Sequence, residues 1–158
     1  MKEIFKNKKG FTLIELLVVI SIIGILTIIS ASSFRNAQIK SRDAQRKSDL
    51  SGLSKALMMY YNDNGRFPSE NVVEFGNVEV GLTGTNEIVY MRKIPEDPEN
   101  ISPYKYVYKV NTTDFKEFNL FSNLENTNDS QCQETPYLVD GEEYCYGVSS
   151  PNTIVKNW

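Results

Sequence analysis

Glu15 is the residue in this chain that most needs a chemical reason. It is a carboxylate inside an apolar run, with 19 uncharged residues between it and Arg35. An ionised group deep in a bilayer costs roughly 3 kcal/mol on insertion scales, so such groups are paired or functional unless they reach an interface. Five positions into the run, Glu15 admits both readings on position alone. Cys132 and Cys145 are the full thiol inventory. They are too far apart for a C-x-x-C redox pair and too few for a structural zinc site. Both lie in a polar stretch, where they read as one disulfide formed in an oxidising compartment; two unrelated free thiols are the alternative. A bridge would close about 12 intervening residues, worth about 3 kcal/mol by the chain-entropy estimate. Oxygens of the kind calcium takes, about six to eight at a time, are offered by Asp97, Glu99, Asn123, Glu125, Asp129, Asp140 and Glu142. No D-x-[DN]-x-[DN]-G loop accompanies them, and solvated loop acids are the other reading.

The same inventory excludes a good deal. The chain has no histidine, which removes the commonest general base, the commonest transition-metal ligand and every Ser-His or Cys-His arrangement. Neither a G-x-x-x-x-G-K-[ST] loop nor a G-x-G-x-x-G turn occurs. No catalytic and no metal-ligating residue is predicted, no cofactor is expected apart from the calcium alternative, and the chain does not read as an enzyme. Four lysines against Glu3 give residues 1–10 a charge of +3, which leaves about −6 on the rest of a chain whose net charge is −3. An acidic body without clustered Lys and Arg argues against a nucleic-acid partner. Asn100, Asn111 and Asn128 match N-x-[ST], a cheap pattern in an Asn-rich chain.

These residues must be positioned by two kinds of element. At 158 residues there is room for one compact domain plus an extra element. Residues 11–33 make roughly 35 Å of helix at 1.5 Å per residue, enough to cross a hydrocarbon core of about 30 Å with some tilt. The run is too long for a secretory signal peptide and lacks an A-x-A site; Ser30-Ala31-Ser32 is the nearest approach. Positive charge does not orient the span, because Arg35, Lys40, Arg42, Arg46 and Lys47 follow it while Lys2, Lys6, Lys8 and Lys9 precede it. The disulfide reading does: it puts the C-terminal part outside and the basic start in the cytoplasm. Beyond Phe34, Ala37, Ala44, Leu50, Leu53, Leu57, Tyr60 and Tyr61 recur at helical spacing, with Arg35, Lys40, Arg42, Arg46, Lys47 and Asp49 on the opposite face. Asn62-Asp63-Asn64-Gly65 and Pro68 stop the pattern. One helix over residues 11–64, near 80 Å long, is expected.

Residues 70–91 read as a connection. Strands follow: Tyr104, Tyr106, Tyr108 and Val110 alternate with Lys105, Val107 and Lys109. Asn111-Thr112-Thr113-Asp114 is a turn, residues 115–124 a second strand with Phe118, Leu120 and Leu124 on one face, and residues 144–148 a third. A small antiparallel sheet laid on the helix stripe gives an α+β fold. The tyrosines read as half-buried sheet, or else as a binding face.

The stretch KKGFTLIELLVVISIIGIL, residues 8–26, resembles the start of a type IV pilin-like precursor, the family of pilus subunits and type II secretion pseudopilins. SRDAQRKSDLSGLSKALMMYYNDNGRFPS, residues 41–69, is similar to the helix end of the major pseudopilin. A weaker likeness continues through Ile94-Pro95-Glu96-Asp97-Pro98 and Pro103-Tyr104-Lys105-Tyr106. The resemblance implies that a prepilin peptidase cuts between Gly10 and Phe11 and methylates Phe11. It implies that Glu15 pairs with the new ammonium of a neighbouring subunit and sets its register. It also implies an inner-membrane assembly platform and membrane lipid as partners, beside identical or related subunits in a homopolymer. Calcium stabilises the major pseudopilin in that family, which keeps calcium here as the alternative to no cofactor. Pilins in which a proline interrupts the helix are matched here only by Ser32 and Ser33, and Gly24 either weakens the span or serves close packing.

The expected organisation is therefore a leader at 1–10, an assembly and transmembrane segment at 11–34, an amphipathic helix at 35–64 and a globular sheet domain at 65–158. The chain is expected to sit once in the inner membrane, N-terminus cytoplasmic, before joining an extracytoplasmic filament. Two functions fit: a structural subunit of a pilus or pseudopilus, or a minor pilin acting as a binding module on such a filament, adhesive or in DNA uptake.

Overall fold

The structure, a computed structural model, describes residues 10–77, 81–84, 87–151 and 153–158, with main chain alone at 29–32. Lys2, Lys6, Lys8 and Lys9 lie outside the described residues. The chain divides into two units, Met1–Gln38 and Ile39–Trp158. One helix, α1, runs over Leu13–Asn64, starting two residues later than the sequence predicts because residue 12 caps it. Gly65, at φ +69°, ends it by donating its N–H to the Tyr61 carbonyl at 2.8 Å.

In the first unit every described side chain from Phe11 to Ile28 is exposed, and the helix is long and apolar enough to cross a membrane. The hydroxyls inside this stretch are satisfied by the helix itself. Ser21 donates to the Leu17 carbonyl at 2.8 Å and Thr27 to that of Ile23 at 2.7 Å, as a medium without water requires.

In the second unit the helix buries Asp43, Arg46, Leu50, Leu53, Ala56 and Leu57. Steps of three and four carry that stripe unbroken from apolar residues into charged ones. Here the structure corrects the sequence reading, which put Arg46 on the outer face and Ala37 and Ala44 on the inner one. Arg46 has no exposed surface and both alanines are exposed.

Among the described residues seven short strands follow. β1 (Leu82–Thr83) pairs antiparallel with β2 (Val89–Met91), after a 3₁₀ turn at Glu70–Val72, in the stretch expected to be a plain connection. β3 (Val107–Val110), β4 (Phe118–Ser122) and β7 (Tyr146–Ser149) form the main antiparallel sheet with β4 central; Leu120 stands opposite Tyr108 on one side and Val148 on the other. β5 (Tyr137–Val139) and β6 (Glu142–Tyr144) make a hairpin. The third predicted strand is thus broken at Cys145 into β6 and β7. Phe115, expected in a strand, sits in the turn at φ +56°. The hairpin turn is Asp140-Gly141, at φ 52° and 85°, the Asp-Gly type I′ chemistry that matches strand twist.

All five residues of β4 are buried because both faces of the strand are covered. One face joins Leu50, Leu53 and Leu57 of α1 with Phe67, Ile94, Tyr108, Val110, Phe118 and Leu120; the other joins Phe121 with Val139 and Tyr144. Tyr106 and Tyr108 are core residues rather than a binding face. Their hydroxyls donate to Asp49 Oδ2 at 3.0 Å and to the Pro68 carbonyl at 2.8 Å, and burial pushes both phenols well above their usual range.

Candidate functional site

The N-terminal site is built by four residues. Gly10 and Phe11 are exposed, Phe11 at 90%, and a Cβ at Gly10 would meet nothing, so the Gly10–Phe11 peptide is open to approach. Thr12 is the helix N-cap. Its Oγ1 accepts the Glu15 N–H at 3.3 Å, while Glu15 Oε2 accepts the Thr12 N–H and hydroxyl, each at 2.8 Å. This is a reciprocal capping box, T-x-x-E, which satisfies N–H groups that the first helical turn leaves without partners. The sequence carries the signal in Thr12-Leu13-Ile14-Glu15, yet reading Glu15 by its depth alone passes over it. No described cation pairs with Glu15, and its carboxylate is held by its own helix. A Cβ at Gly24 would likewise meet nothing.

A second constellation lies where α1 meets the loops of its own domain. Arg46 donates from Nε to Asp97 Oδ2 at 2.7 Å and from Nη2 to Asp97 Oδ1 at 2.9 Å, and from Nη1 to Asp43 at 2.8 Å and Glu125 at 2.6 Å. Its guanidinium stands 4.8 Å over the Tyr104 ring, a cation–π contact. Burial pulls this group down, but its bonds to Asp97, Glu125 and Asp43 outweigh burial and hold it firmly charged. Arg42 also grips Glu125 and lies 3.4 Å from Glu99. The Arg42 hydrogen bond, with Arg46 behind it, holds the Glu125 carboxyl down at about 2. Asp43 accepts the N–H groups of Glu125 and Asn126, both at 2.9 Å, and Lys47 reaches Asp129 at 2.7 Å. The loop so gripped ends in the Cys132–Cys145 disulfide, whose Cα atoms are 4.7 Å apart.

Five of the oxygen-bearing residues that could have served calcium are engaged elsewhere. Asp97, Glu125 and Asp129 face Arg46, Arg42 and Lys47; Asp140 faces Lys109 at 2.7 Å. The Asn123 side chain bridges Pro103, Glu143 and Cys145. Among the described residues no group of three or more acidic or thiol side chains is placed to hold a metal ion. Asp97, Glu125 and Asp129 are parts of the ion-pair clamp on α1.

Two family descriptions match this chain. Residues 5–31 match the prokaryotic N-terminal methylation motif, and residues 34–135 match the family described as type II secretion system, protein G. The type II secretion system core protein G of Klebsiella pneumoniae is 33% identical over 98 residues, 59% of this chain and 70% of that protein. That of Pseudomonas aeruginosa is 31% identical over 107 residues, 65% and 75% of the two chains. The type IV major pilin protein PilA of Myxococcus xanthus is 37% identical over 61 residues, 39% of this chain and 28% of that one. No solved structure matches.

Proposed function

The chain belongs to the type II secretion system protein G family, and from that premise we propose that it is a structural subunit of a pseudopilus or pilus filament, assembled through its N-terminal helix. The observation that carries this is the fully exposed apolar stretch of α1. From Phe11 to Ile28 no described side chain is buried, so the lone chain offers water a long hydrophobic surface that only lipid or other helices can cover. Membrane lipid serves first and neighbouring copies serve after polymerisation.

In this reading a prepilin peptidase removes residues 1–10 by cutting at the open Gly10–Phe11 peptide and methylates Phe11. Glu15 then has a use for its charge. The new ammonium of Phe11 on one copy meets the carboxylate of Glu15 on the next, and a slip in register would leave both charges unpaired in an apolar bundle. The chain sits once in the inner membrane with its N-terminus in the cytoplasm. The Cys132–Cys145 disulfide supports an oxidising compartment for the Ile39–Trp158 unit. The chain works by assembly and carries no catalytic role; the assembly platform of the inner membrane feeds it to the filament.

Intact-mass and N-terminal analysis of the membrane-extracted chain, made with and without a prepilin peptidase, tests this. A peptidase-dependent product starting at Phe11 and heavier by one methyl group is expected. Retention of residues 1–10, or a cut after Ala31, would overturn the filament reading.

A further inference from the structure

We propose that the groove beside the Cys132–Cys145 bridge is the docking site for the basic helix segment of a second copy of this chain, with Lys40 entering it. The proposal rests on the filament reading above and gives that filament a contact outside its apolar helices.

The groove holds about 700 Å³, room for long side chains but not for a whole helix. Pro103, Leu124 and Pro136 lie in its lining, and Glu134, Glu142 and Glu143 bring the charge. That charge is what selects the occupant. Residues 117–155 contain seven carboxylates and no Lys or Arg. Four of the seven are met by cations from elsewhere in the chain: Glu117 by Lys156, Glu125 by Arg42 and Arg46, Asp129 by Lys47, and Asp140 by Lys109. The three left without a described cation are Glu134, Glu142 and Glu143, and all three line this groove.

The helix shows the reverse imbalance. Arg42, Arg46 and Lys47 are committed to the clamp, whereas Arg35 and Lys40 are exposed and meet no described acid.

Register picks Lys40 over Lys55, and helix geometry picks it over Arg35, which five residues away points about 140° round the helix. Asp43 accepts the N–H groups of Glu125 and Asn126, and Leu124 and Thr127 on either side line the groove, so the groove opens beside Asp43. Pairing of Phe11 on one copy with Glu15 on the next offsets parallel helices by four residues, about 6 Å. Lys40 of the neighbour then stands level with Ala44, next to the groove. Lys55 of the neighbour would stand about 22 Å further along. Groove and basic segment are different surfaces, so the contact is heterologous and propagates instead of closing. Surface ion pairs add little energy singly; here they select register and discourage mispairing.

The test uses the full chain in a host that processes and assembles it. Lys40→Glu alone, and Glu142→Lys with Glu143→Lys, should each cut the yield of sheared filaments about tenfold, since like charges then meet. Combining the two sets should restore the yield to within about threefold of the unaltered chain. A combined variant no better than the worse parent overturns the contact while leaving the filament reading intact. If the unaltered chain makes no filament, the filament reading itself fails and this contact with it. Any reversal that loses the Cys132–Cys145 bond is replaced by Lys40→Gln and Glu143→Gln. Their losses must then be non-additive; simple additivity overturns the contact equally.

Discussion

Arg46 and Asp97 form a two-point ion pair, 2.7 and 2.9 Å, in which neither side chain has any exposed surface. The planar fork of a guanidinium matches a carboxylate in this way and an ammonium does not. Cutting Arg46 back to Ala leaves Asp97 buried without its cation and Asp43 and Glu125 short of a donor. A loss of about 3–5 kcal/mol is expected, measured by denaturant unfolding of the detergent-solubilised chain. Arg46→Lys should recover only a minor part of it. Full recovery by Lys would show that charge alone matters at this position.

The clamp also sets an acid limit. Glu125 is held at about 2, against an ordinary glutamate value of 4.5, first by its bond to Arg42 and then by Arg46. A depressed carboxylate contributes stability that is present above the unfolded value and lost as pH falls toward the folded one. Asp129, lowered first by its bond to Lys47, acts in the same sense. Asp49, raised by burial, acts in the opposite sense. The melting midpoint should therefore fall between about pH 4.5 and pH 2. Glu125→Gln should flatten that fall; an unchanged slope would remove Glu125 from the account.

Asn119 is the weak point of the core. It is 1% exposed on the central strand, and neither its side-chain oxygen nor its nitrogen has a hydrogen-bond partner. A buried amide left unsatisfied costs about 1–3 kcal/mol. Asn119→Leu, of similar size, should raise stability by about 1–2 kcal/mol, readable as a higher melting midpoint. A lower midpoint would mean that a buried water serves the amide.

The disulfide closes the loop from Cys132 to Cys145, and Arg42, Asp43, Arg46 and Lys47 grip the segment just ahead of it, at Glu125 and Asp129. The chain-entropy estimate for such a loop is about 3 kcal/mol. The clamp leaves residues 133–144 to the bridge, so Cys145→Ser should cost about that figure in the unaltered chain. The two effects act on adjoining segments, so that a double-mutant cycle with Arg46→Met should come out close to additive.

Much of this was legible in the chain itself, and the reasons for the rest are specific. The apolar run, the stop at Asn64-Gly65 and the alternation around Tyr106 and Tyr108 each follow one period, and each appears where that period places it. The buried charges escaped because charge was read as exposure. Asp43 and Arg46 precede Leu50, Leu53 and Leu57 by steps of three and four, and spacing alone would have placed them inside. The second hairpin escaped because Tyr144 to Val148 reads as one strand, although Asp140-Gly141 marks a turn just ahead of it. What no local pattern could show is that Asp97 and Glu125, 51 and 79 residues from Arg46, converge on one guanidinium.

Glu15 has two roles in prospect, and two substitutions separate them. In the lone chain its carboxylate caps the helix by accepting from Thr12, at 2.8 Å from both the N–H and the hydroxyl. In the filament its charge meets an ammonium. Gln at position 15 keeps an acceptor for the capping box but has no charge, whereas Thr12→Val removes the hydroxyl and keeps the charge. If Glu15 matters as a cap, Thr12→Val should be the more harmful change, by about 1 kcal/mol of helix stability. If it matters as a charge, Glu15→Gln should leave the chain processed and inserted yet unable to join filaments. Leaving one partner of a buried pair alone costs about 3–5 kcal/mol, which is more than about 100-fold in subunit addition. Quantifying processed chain in membranes against chain in sheared filaments reads both outcomes in one experiment. Normal filaments from Glu15→Gln would reduce Glu15 to a helix cap and leave register to contacts beyond the apolar stretch.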